Sequence, residues 1–259
     1  MLKDRKKLAN SIAKKGDMTP FRLKAGRFTL QGYRHIGAPE GRAAIVYIES
    51  DGKAWRNYNQ PSSNPTPTNP VGLRLAAQDP HTNVIYLARP CQYTGQEQTT
   101  ACAQRYWTNA RFAPEVLKSY IAALNTLRKN SAIQKFHLVG YSGGGAIAAL
   151  LAATRQDIAS LRTVAGNLDH AAINRHHDVA QMPESLNPIN HTNWLTHTPQ
   201  IHYSGADDDI VPEKIARAFV QQLATSQCAR HRIIEDADHH NWPRFWGDGL
   251  ARELPECRS

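Results

Sequence analysis

The chain has 259 residues, of which 41% are hydrophobic, so it can bury a full core, and an α/β architecture of this size commonly forms one domain. It contains no apolar run of the roughly 18 residues that a membrane-spanning helix needs, and residues 1–17 are too charged for the apolar centre of a signal peptide. The net charge of +9 is concentrated in residues 1–27, which carry nine Lys and Arg against two Asp, and the nearly neutral remainder argues against a nucleic-acid groove.

The basic start of the chain is predicted as a separate N-terminal segment, residues 1–20, ahead of a single folded domain over residues 21–259. Such a segment could bind phosphate groups or an anionic lipid surface, but a solvated helix or a frayed terminus also accounts for the composition. If the segment binds a partner, we expect its deletion to abolish that binding and to leave catalysis by the body intact.

The first half of the chain alternates strand and helix patterns. Apolar runs bounded by turn residues indicate strands, and apolar residues at helical spacing indicate helices. The Pro-rich stretch 60–70 is predicted to be a surface loop without regular structure. The predicted elements are a hairpin over 21–36, strands over 43–48 and 83–88, and helices over 71–78 and 113–128.

A strand, a sharp turn and a small-residue helix are predicted over residues 135–150, with Gly140-Tyr-Ser-Gly-Gly144 at the bend. A nucleophilic serine in such a turn needs a strained backbone, and side chains on the flanking glycines would crowd the strand and helix where they cross. The turn could instead be purely structural or hold a phosphate, but the lysine of a phosphate-binding loop is missing. We therefore predict a nucleophile elbow with Ser142 as the nucleophile.

Further strands are predicted over 161–165, 200–203 and 231–234, with a helix over 215–223. Strands and helices that alternate in this way predict an α/β fold with a mostly parallel central sheet and helices on both faces. Residues 166–199 are rich in His, Asn and Pro, and we expect an irregular excursion over the carboxyl edge of the sheet that shapes a substrate cleft.

Two late segments offer partners for Ser142, in the order acid and then histidine. The pattern of a glycine, two free positions, an aspartate and an apolar pair before proline selects Asp208 as the acid, with Asp207 left open. After the last strand, a short turn favours His239 as the base over His240, which is expected to line the cleft.

The expected chemistry is that His239 takes the proton of the Ser142 hydroxyl while Asp208 holds the imidazole. The oxyanion would need two backbone donors. The N–H of Gly143 is one, and we choose Asp51, in the turn after the third strand, as the other. Three further side chains are predicted to contact substrate: Tyr141, His170 and His240.

Residues 139–145, 47–52 and 205–212 resemble the α/β-hydrolase superfamily, over about residues 21–246. The resemblance implies the α/β-hydrolase fold, the triad of Ser142, Asp208 and His239, and an oxyanion hole from Gly143 and the turn 50–52. The His-Gly pair often found after the third strand is Glu49-Ser50 here, which leaves the second oxyanion donor open.

Residues 165–170 and 89–91 are similar to a group of bacterial exported or lipoprotein-type hydrolases, which implies an extracytoplasmic location. Since no leader is visible, we expect a mature form with an added Met1. The four cysteines allow the disulfides Cys91–Cys102 and Cys228–Cys257 if the compartment is oxidising, and four reduced thiols in a cytosolic protein are the alternative.

We predict a serine hydrolase that forms an acyl-enzyme on a small-molecule ester or acyl substrate, with carboxylic esters preferred. The alternatives are an acyltransferase or peptidase on the same triad, and a non-catalytic binding protein of hydrolase fold that uses its basic N-terminus. No cofactor, nucleic acid or integral membrane segment is expected, and the oligomeric state is left open. No metal is expected either, because the ligand-type side chains at 169, 170 and 176–178 fit no defined spacing.

Overall fold

The computed structural model describes residues 2–39, 41–57, 60–94, 101–223 and 225–258. Helices and strands alternate along most of the chain, as the sequence predicts. The helices are α1 (Leu2–Lys15), α2 (Val71–Ala76), α3 (Pro114–Lys129), α4 (Gly143–Thr154), α5 (His170–His176) and α6 (Lys214–Gln221). The strands are β1 (Thr19–Ala25), β2 (Phe28–Ile36), β3 (Ala43–Ile48), β4 (Trp55–Asn57), β5 (Gln60–Pro61), β6 (Asn83–Leu87), β7 (Lys135–Tyr141), β8 (Ile158–Val164), β9 (Gln200–Gly205) and β10 (Ala229–Ile234).

Eight strands form one sheet in the order β1-β2-β6-β3-β7-β8-β9-β10, and β4 pairs separately with β5. Strand β2 runs antiparallel to both of its neighbours, β1 and β6. Every other pairing in the large sheet is parallel. The predicted mostly parallel α/β sheet is therefore confirmed, and the carboxyl ends of β3, β7, β8, β9 and β10 meet along one edge.

The sheet separates two apolar layers because successive side chains of a strand point to opposite faces. In β3, Val46 and Ile48 pack with α3, α4 and α6, whereas Ile45 and Tyr47 pack on the other face with α1, α2 and the tryptophans of the C-terminal segment. The same alternation recurs in β6 and β7. Helices thus cover both faces, as predicted.

The helix α1 gives the basic start of the chain a packed face. Ala9, Ile12 and Ala13 are buried, and the Arg5 guanidinium donates to the carbonyl of Thr66 at 2.6 Å. Residue 20, the predicted boundary of the N-terminal segment, lies inside β1. The division into a segment and a domain stays a prediction.

The Pro-rich stretch 60–70 has no regular structure after residue 61, as predicted, but part of it is buried rather than lying on the surface. Its first two residues form β5, and Ser62 and Thr66 are buried. Their polar atoms have partners, since the Trp107 indole donates to the Ser62 carbonyl at 2.9 Å and the Tyr93 N–H donates to the Thr66 hydroxyl at 2.8 Å. Proline prevents a long helix or strand, but it does not prevent burial when other elements satisfy the backbone.

The segment 166–199 is more regular than predicted, because it contains α5 and a 3-10 stretch at Pro188–Trp194. The Asp169 carboxylate accepts hydrogen bonds from the N–H groups of Ala171 and Ala172, both at 3.1 Å, and so caps α5.

Both disulfides that the sequence allows are present, Cys91–Cys102 and Cys228–Cys257. Within the described residues, no helix is long and apolar enough to cross a bilayer.

Candidate active site at the carboxyl edge of the sheet

The sharp bend between β7 and α4 places Ser142 in a backbone conformation that is unusual for a side-chain-bearing residue. Its φ is 53° and its ψ is −121°. The strand and the helix cross so closely here that a Cβ on Gly140 would lie 2.3 Å from the carbonyl oxygen of Gly144. A side chain at position 140 would therefore collide with the helix, which is the steric reason that the sequence analysis gives for glycine here.

Two side chains from later elements reach Ser142. The Nε2 atom of His239 lies 3.1 Å from the Ser142 hydroxyl oxygen, and its Nδ1 lies 2.9 Å from Oδ2 of Asp208. His239 follows β10 and Asp208 follows β9, so the parallel sheet brings residues far apart in sequence to one edge. The three sequence-predicted residues form one continuous hydrogen-bonded line.

The carboxylate of Asp208 is held in place by its own loop. Its Oδ1 accepts hydrogen bonds from the N–H groups of Ile210 at 3.0 Å and Val211 at 2.8 Å. Asp208 is buried, whereas Asp207 and Asp209 are exposed. Of the three adjacent carboxylates, Asp208 is the one that contacts His239.

Tyr141 holds His239 in place through its backbone and its ring. Its phenol donates to the backbone carbonyl of His239 at 2.7 Å, and the two rings lie 5.4 Å apart. Burial raises the pKa of Tyr141 well above its ordinary value, so the phenol keeps its proton and remains a donor. The residue predicted to contact substrate therefore holds the loop that carries His239.

The carboxylate of Asp51 lies directly against the elbow. A Cβ on Gly143 would come within 2.3 Å of Asp51 Oδ1, so the absence of a side chain at Gly143 makes room for it. Two guanidinium groups neutralise this carboxylate: Arg89 Nη1 is 2.9 Å from Oδ1, and Arg111 Nη1 is 3.3 Å from Oδ2. Arg89 also donates to the carbonyl of Arg111. The negative charge of Asp51 beside the serine is thus offset by the two arginines.

The buried side chain of Gln92 fixes the orientation of the same turn. Its Nε2 donates to the Ser50 carbonyl at 3.0 Å, and its Oε1 accepts from the Arg89 N–H at 3.1 Å. In a trans peptide the C=O and the following N–H point in opposite directions. Because Gln92 holds the Ser50 carbonyl on one side, the N–H of Asp51 is directed to the other.

Glu49 stands where the superfamily often has histidine, and it is fully buried. It accepts hydrogen bonds from the N–H groups of Ser50, Gly72 and Leu73 at 2.9 to 3.3 Å, and from the Tyr86 phenol at 3.0 Å. Burial raises the pKa of the Glu49 carboxyl, and the hydrogen bonds from Ser50, Tyr86 and Gly72 act against that rise. Glu49 therefore joins the first turn of α2 to the end of β3. The sequence feature that could have pointed to this role of Glu49 is its position as an acidic residue directly after the apolar strand β3.

A cleft of about 850 Å³ opens above Ser142. Its mouth has three large apolar side chains that are 41 to 43% exposed: Trp55, Val179 and Ile210. Polar side chains lie deeper, among them Asp51, Arg111 and Asn167. The cleft can therefore accept an apolar group at its mouth and polar groups near the serine.

Two of the residues predicted to contact substrate lie away from this cleft. His170 is buried, with its ring 6.0 Å from that of Phe112 and its Nε2 3.3 Å from the Ser185 carbonyl. Burial lowers the pKa of His170, which keeps the ring neutral. His240 is exposed beside His239, with ring centres 5.2 Å apart. The structure does not bring either ring to the cleft wall.

In the part of the chain that the structure describes, no three His, Cys, Asp or Glu side chains lie close enough to share a metal ion. His177 and Asp178 line the cleft, but His177 Nε2 already lies 2.8 Å from the Ile210 carbonyl.

Comparisons with known proteins agree with this architecture. A family model described as "Serine hydrolase (FSH1)" matches residues 72–244. No curated protein sequence matches the chain significantly.

Solved structures with the same fold are widespread, at low sequence identity. An esterase from Pyrococcus furiosus, Pf2001, superposes with a TM-score of 0.60 and 13% identity, over 87% of this chain and 85% of that one. An α/β serine hydrolase homologue from Coxiella burnetii gives 0.57 and 18%, over 86% and 89%. An acylaminoacyl peptidase from Pyrococcus horikoshii gives 0.61 and 9%, over 88% of this chain but 38% of its own length. These likenesses establish the α/β-hydrolase fold.

Proposed function

The chain belongs to the FSH1 serine hydrolase family, and we propose that it hydrolyses carboxylic esters of small molecules with Ser142 as the nucleophile. The observation that carries the proposal is the line of hydrogen bonds from Ser142 through His239 to Asp208, at 3.1 and 2.9 Å, on the floor of an open cleft. Nucleophile, base and orienting acid within hydrogen-bond reach are the requirements for acyl transfer.

The reaction begins when the Ser142 oxygen attacks the ester carbonyl carbon and its proton passes to Nε2 of His239. The carbon–oxygen bond to the alcohol then breaks, and the imidazolium returns the proton to the leaving alkoxide. A water molecule, deprotonated by His239, then attacks the acyl-enzyme carbonyl in the same way, the bond to Ser142 breaks, and the carboxylic acid is released. Asp208 stabilises the imidazolium, and its two backbone donors keep it oriented.

The tetrahedral oxyanion would accept hydrogen bonds from the N–H groups of Gly143 and Asp51. Gly143 is the first residue of α4, where N–H groups have no partner within the helix. The Gln92 contact to Ser50 supports Asp51 as the second donor, because it directs the N–H that follows. The neighbouring Asp51 carboxylate would repel an oxyanion, but Arg89 and Arg111 offset that repulsion.

Two observations favour an ester as substrate. The apolar mouth suits an alkyl or aryl group, and the fold is shared with the Pyrococcus furiosus esterase. The likeness to an acylaminoacyl peptidase favours amide cleavage on the same residues as the second candidate. A nitrophenyl ester and the nitroanilide of the same acid separate the two, since a peptidase would turn over both.

The test is turnover of 4-nitrophenyl butanoate together with labelling by a fluorophosphonate, which phosphonylates an activated serine with loss of fluoride. We expect the wild type to be labelled and active. Ser142→Ala should abolish labelling and reduce kcat by about 10⁶-fold, and Asp208→Asn should reduce it by about 10⁴-fold.

The matched control is Asp209→Asn, which removes an exposed carboxylate one residue from Asp208 and should keep wild-type turnover. A folded wild-type protein that resists the fluorophosphonate, or a Ser142→Ala variant that stays active, would exclude Ser142 as the nucleophile.

A further inference from the structure

One buried side-chain oxygen in the cleft has no hydrogen-bond partner among the described residues. Asn167 is 5% exposed and lines the cleft together with Ser142, and its Oδ1 is buried without a partner in the described part of the chain. A buried acceptor that is left unpaired is costly, so a native structure that keeps one calls for an explanation.

The other carboxamides of the cleft are different, because each bonds to the protein. Asn57 accepts from the Gln60 N–H, Asn109 donates to Glu184, Asn174 donates to the Ala180 carbonyl, and Gln181 donates to the Ala171 carbonyl. These four groups are occupied in maintaining loops. Among the described carboxamides that line the cleft, Asn167 is the one whose oxygen is buried without a hydrogen-bond partner.

The backbone around Asn167 holds it rigidly beside the nucleophile. Its N–H donates to the backbone carbonyl of Ser142 at 3.0 Å. Two residues earlier, Ala165 has a φ of 49°, a left-handed conformation that residues with a side chain rarely adopt. Its N–H donates to the backbone carbonyl of Tyr203 at 2.9 Å. Strain of this kind persists where the surrounding structure imposes it, and it occurs often at functional sites.

The chain after Asn167 is anchored as well. Leu168 is fully buried, and Asp169 caps α5 while accepting from the Asn187 amide at 2.7 Å. Asn167 therefore sits between two fixed points, the elbow and α5. A preorganised polar group in a desolvated site can discriminate strongly between ligands that pair with it and those that do not.

We propose that Asn167 is a specificity-determining residue whose side-chain oxygen accepts a hydrogen bond from a substrate N–H or O–H group close to the scissile ester. The preferred substrate class is then an ester that carries an amide N–H, a hydroxyl or an ammonium group near the reacting carbonyl, with its apolar portion at the cleft mouth. This inference rests on the proposed esterase function and adds the group that the enzyme selects.

The test uses pairs of esters that differ in one group. On the acyl side, N-acetyl-L-alanine 4-nitrophenyl ester is compared with 4-nitrophenyl 2-methyl-4-oxopentanoate, in which CH₂ replaces N–H. On the alcohol side, 2-acetamidoethyl butanoate is compared with 4-oxopentyl butanoate, followed by acid release. Each kcat/KM is divided by the rate of hydroxide hydrolysis of the same ester.

We expect the wild type to prefer the N–H ester by about tenfold or more in one of the two pairs, which also assigns the donor to the acyl or the alcohol side. Asn167→Leu has a similar volume but no acceptor, and it should reduce this preference to about twofold or less. Asn167→Asp keeps an acceptor oxygen and should retain the preference. A purely structural role for Asn167 would lower kcat/KM equally for both members of a pair.

The inference is overturned if the wild type shows no preference in either pair, or if Asn167→Leu keeps the wild-type preference. Fluorophosphonate labelling distinguishes this failure from failure of the proposed function. A wild type that is labelled but shows no preference refutes only the role of Asn167, whereas a folded wild type that is not labelled refutes the nucleophile itself.

Discussion

At the scale of single residues, the site depends on side chains that orient the reacting groups without touching substrate. Asp208 and Tyr141 fix His239 from two directions, and Gln92 fixes the peptide that precedes Asp51. Each of these side chains is buried and hydrogen-bonded to a backbone group, so its geometry is already set before substrate arrives.

Replacement of Gln92 by leucine should reduce kcat about 10- to 100-fold with little change in KM, because loss of one oxyanion donor costs about 10²- to 10³-fold and the freed peptide retains part of its orientation. Steady-state kinetics with 4-nitrophenyl butanoate measures the effect.

The control for Gln92 is Gln31→Leu. Gln31 is also buried and donates to two backbone carbonyls, those of Phe21 and Gly32, and none of these residues lines the cleft. Both variants should lose stability, but only Gln92→Leu should lose kcat. Equal kinetic effects in the two variants would show that Gln92 has no special relation to the site.

The order of the site residues along the chain made part of the site predictable. Ser142, Asp208 and His239 each follow a strand in a short motif with characteristic neighbours, so local sequence was enough to select them. Gln92, Arg111 and Asn167 carry no such local signature. Their importance comes from which residues they meet across the fold, which no single segment of the sequence encodes.

At the scale of elements, continuous apolar runs predicted the central strands β3 and β6 well, because both strands are buried on both faces of the sheet. The short pair β4 and β5 and the helix α5 were missed. Helix α5 has only seven residues, and its signal was the capping aspartate Asp169 rather than a long apolar face.

The central strands also contain a buried neutral histidine with a consequence for acid stability. His202 in β9 is fully buried, with Nδ1 2.8 Å from the Thr163 hydroxyl and Nε2 3.0 Å from Gln200 Oε1. Burial lowers the pKa of His202 to about 3. The unfolded chain binds a proton at this residue near pH 6.5, whereas the folded chain does not, so the free energy of unfolding should fall as the pH falls from about 6.5 toward 3.

At pH 5 the loss attributable to His202 should be about 2 kcal/mol, since each pH unit below the unfolded pKa of about 6.5 contributes about 1.4 kcal/mol. Urea unfolding of the wild type and of His202→Gln at several pH values measures it, with the exposed His197→Gln as the control for loss of one imidazole. The stability difference between wild type and His202→Gln should shrink as the pH falls, and a difference independent of pH would contradict the assignment.

At the scale of the whole molecule, the two disulfides differ in their relation to the site. Cys91–Cys102 closes a loop next to Arg89 and Gln92, which hold the turn beside Ser142. Cys228–Cys257 joins the start of β10 to the C-terminal segment. The first disulfide therefore supports the residues around Ser142, whereas the second supports the edge strand β10.

Removal of either bridge by paired Cys→Ser substitution should lower the free energy of unfolding by about 2 to 4 kcal/mol. The Cys91→Ser/Cys102→Ser variant should also lose kcat, because Arg89 and Gln92 become less constrained. The Cys228→Ser/Cys257→Ser variant should keep wild-type kcat at 25 °C. Denaturant unfolding and ester turnover on both variants provide the comparison, and a loss of kcat in the second pair alone would reverse the assignment.

The half-exposed indole of Trp55 at the cleft mouth gives the molecule an optical reporter of its own. Trp107, Trp242 and Trp246 are buried in the two apolar layers, and Trp194 is 74% exposed and does not line the cleft. An apolar group that enters the cleft replaces water around Trp55 alone among the tryptophans. Binding of a ligand in the cleft should therefore change the intrinsic fluorescence of the protein, and no attached dye is needed to follow it.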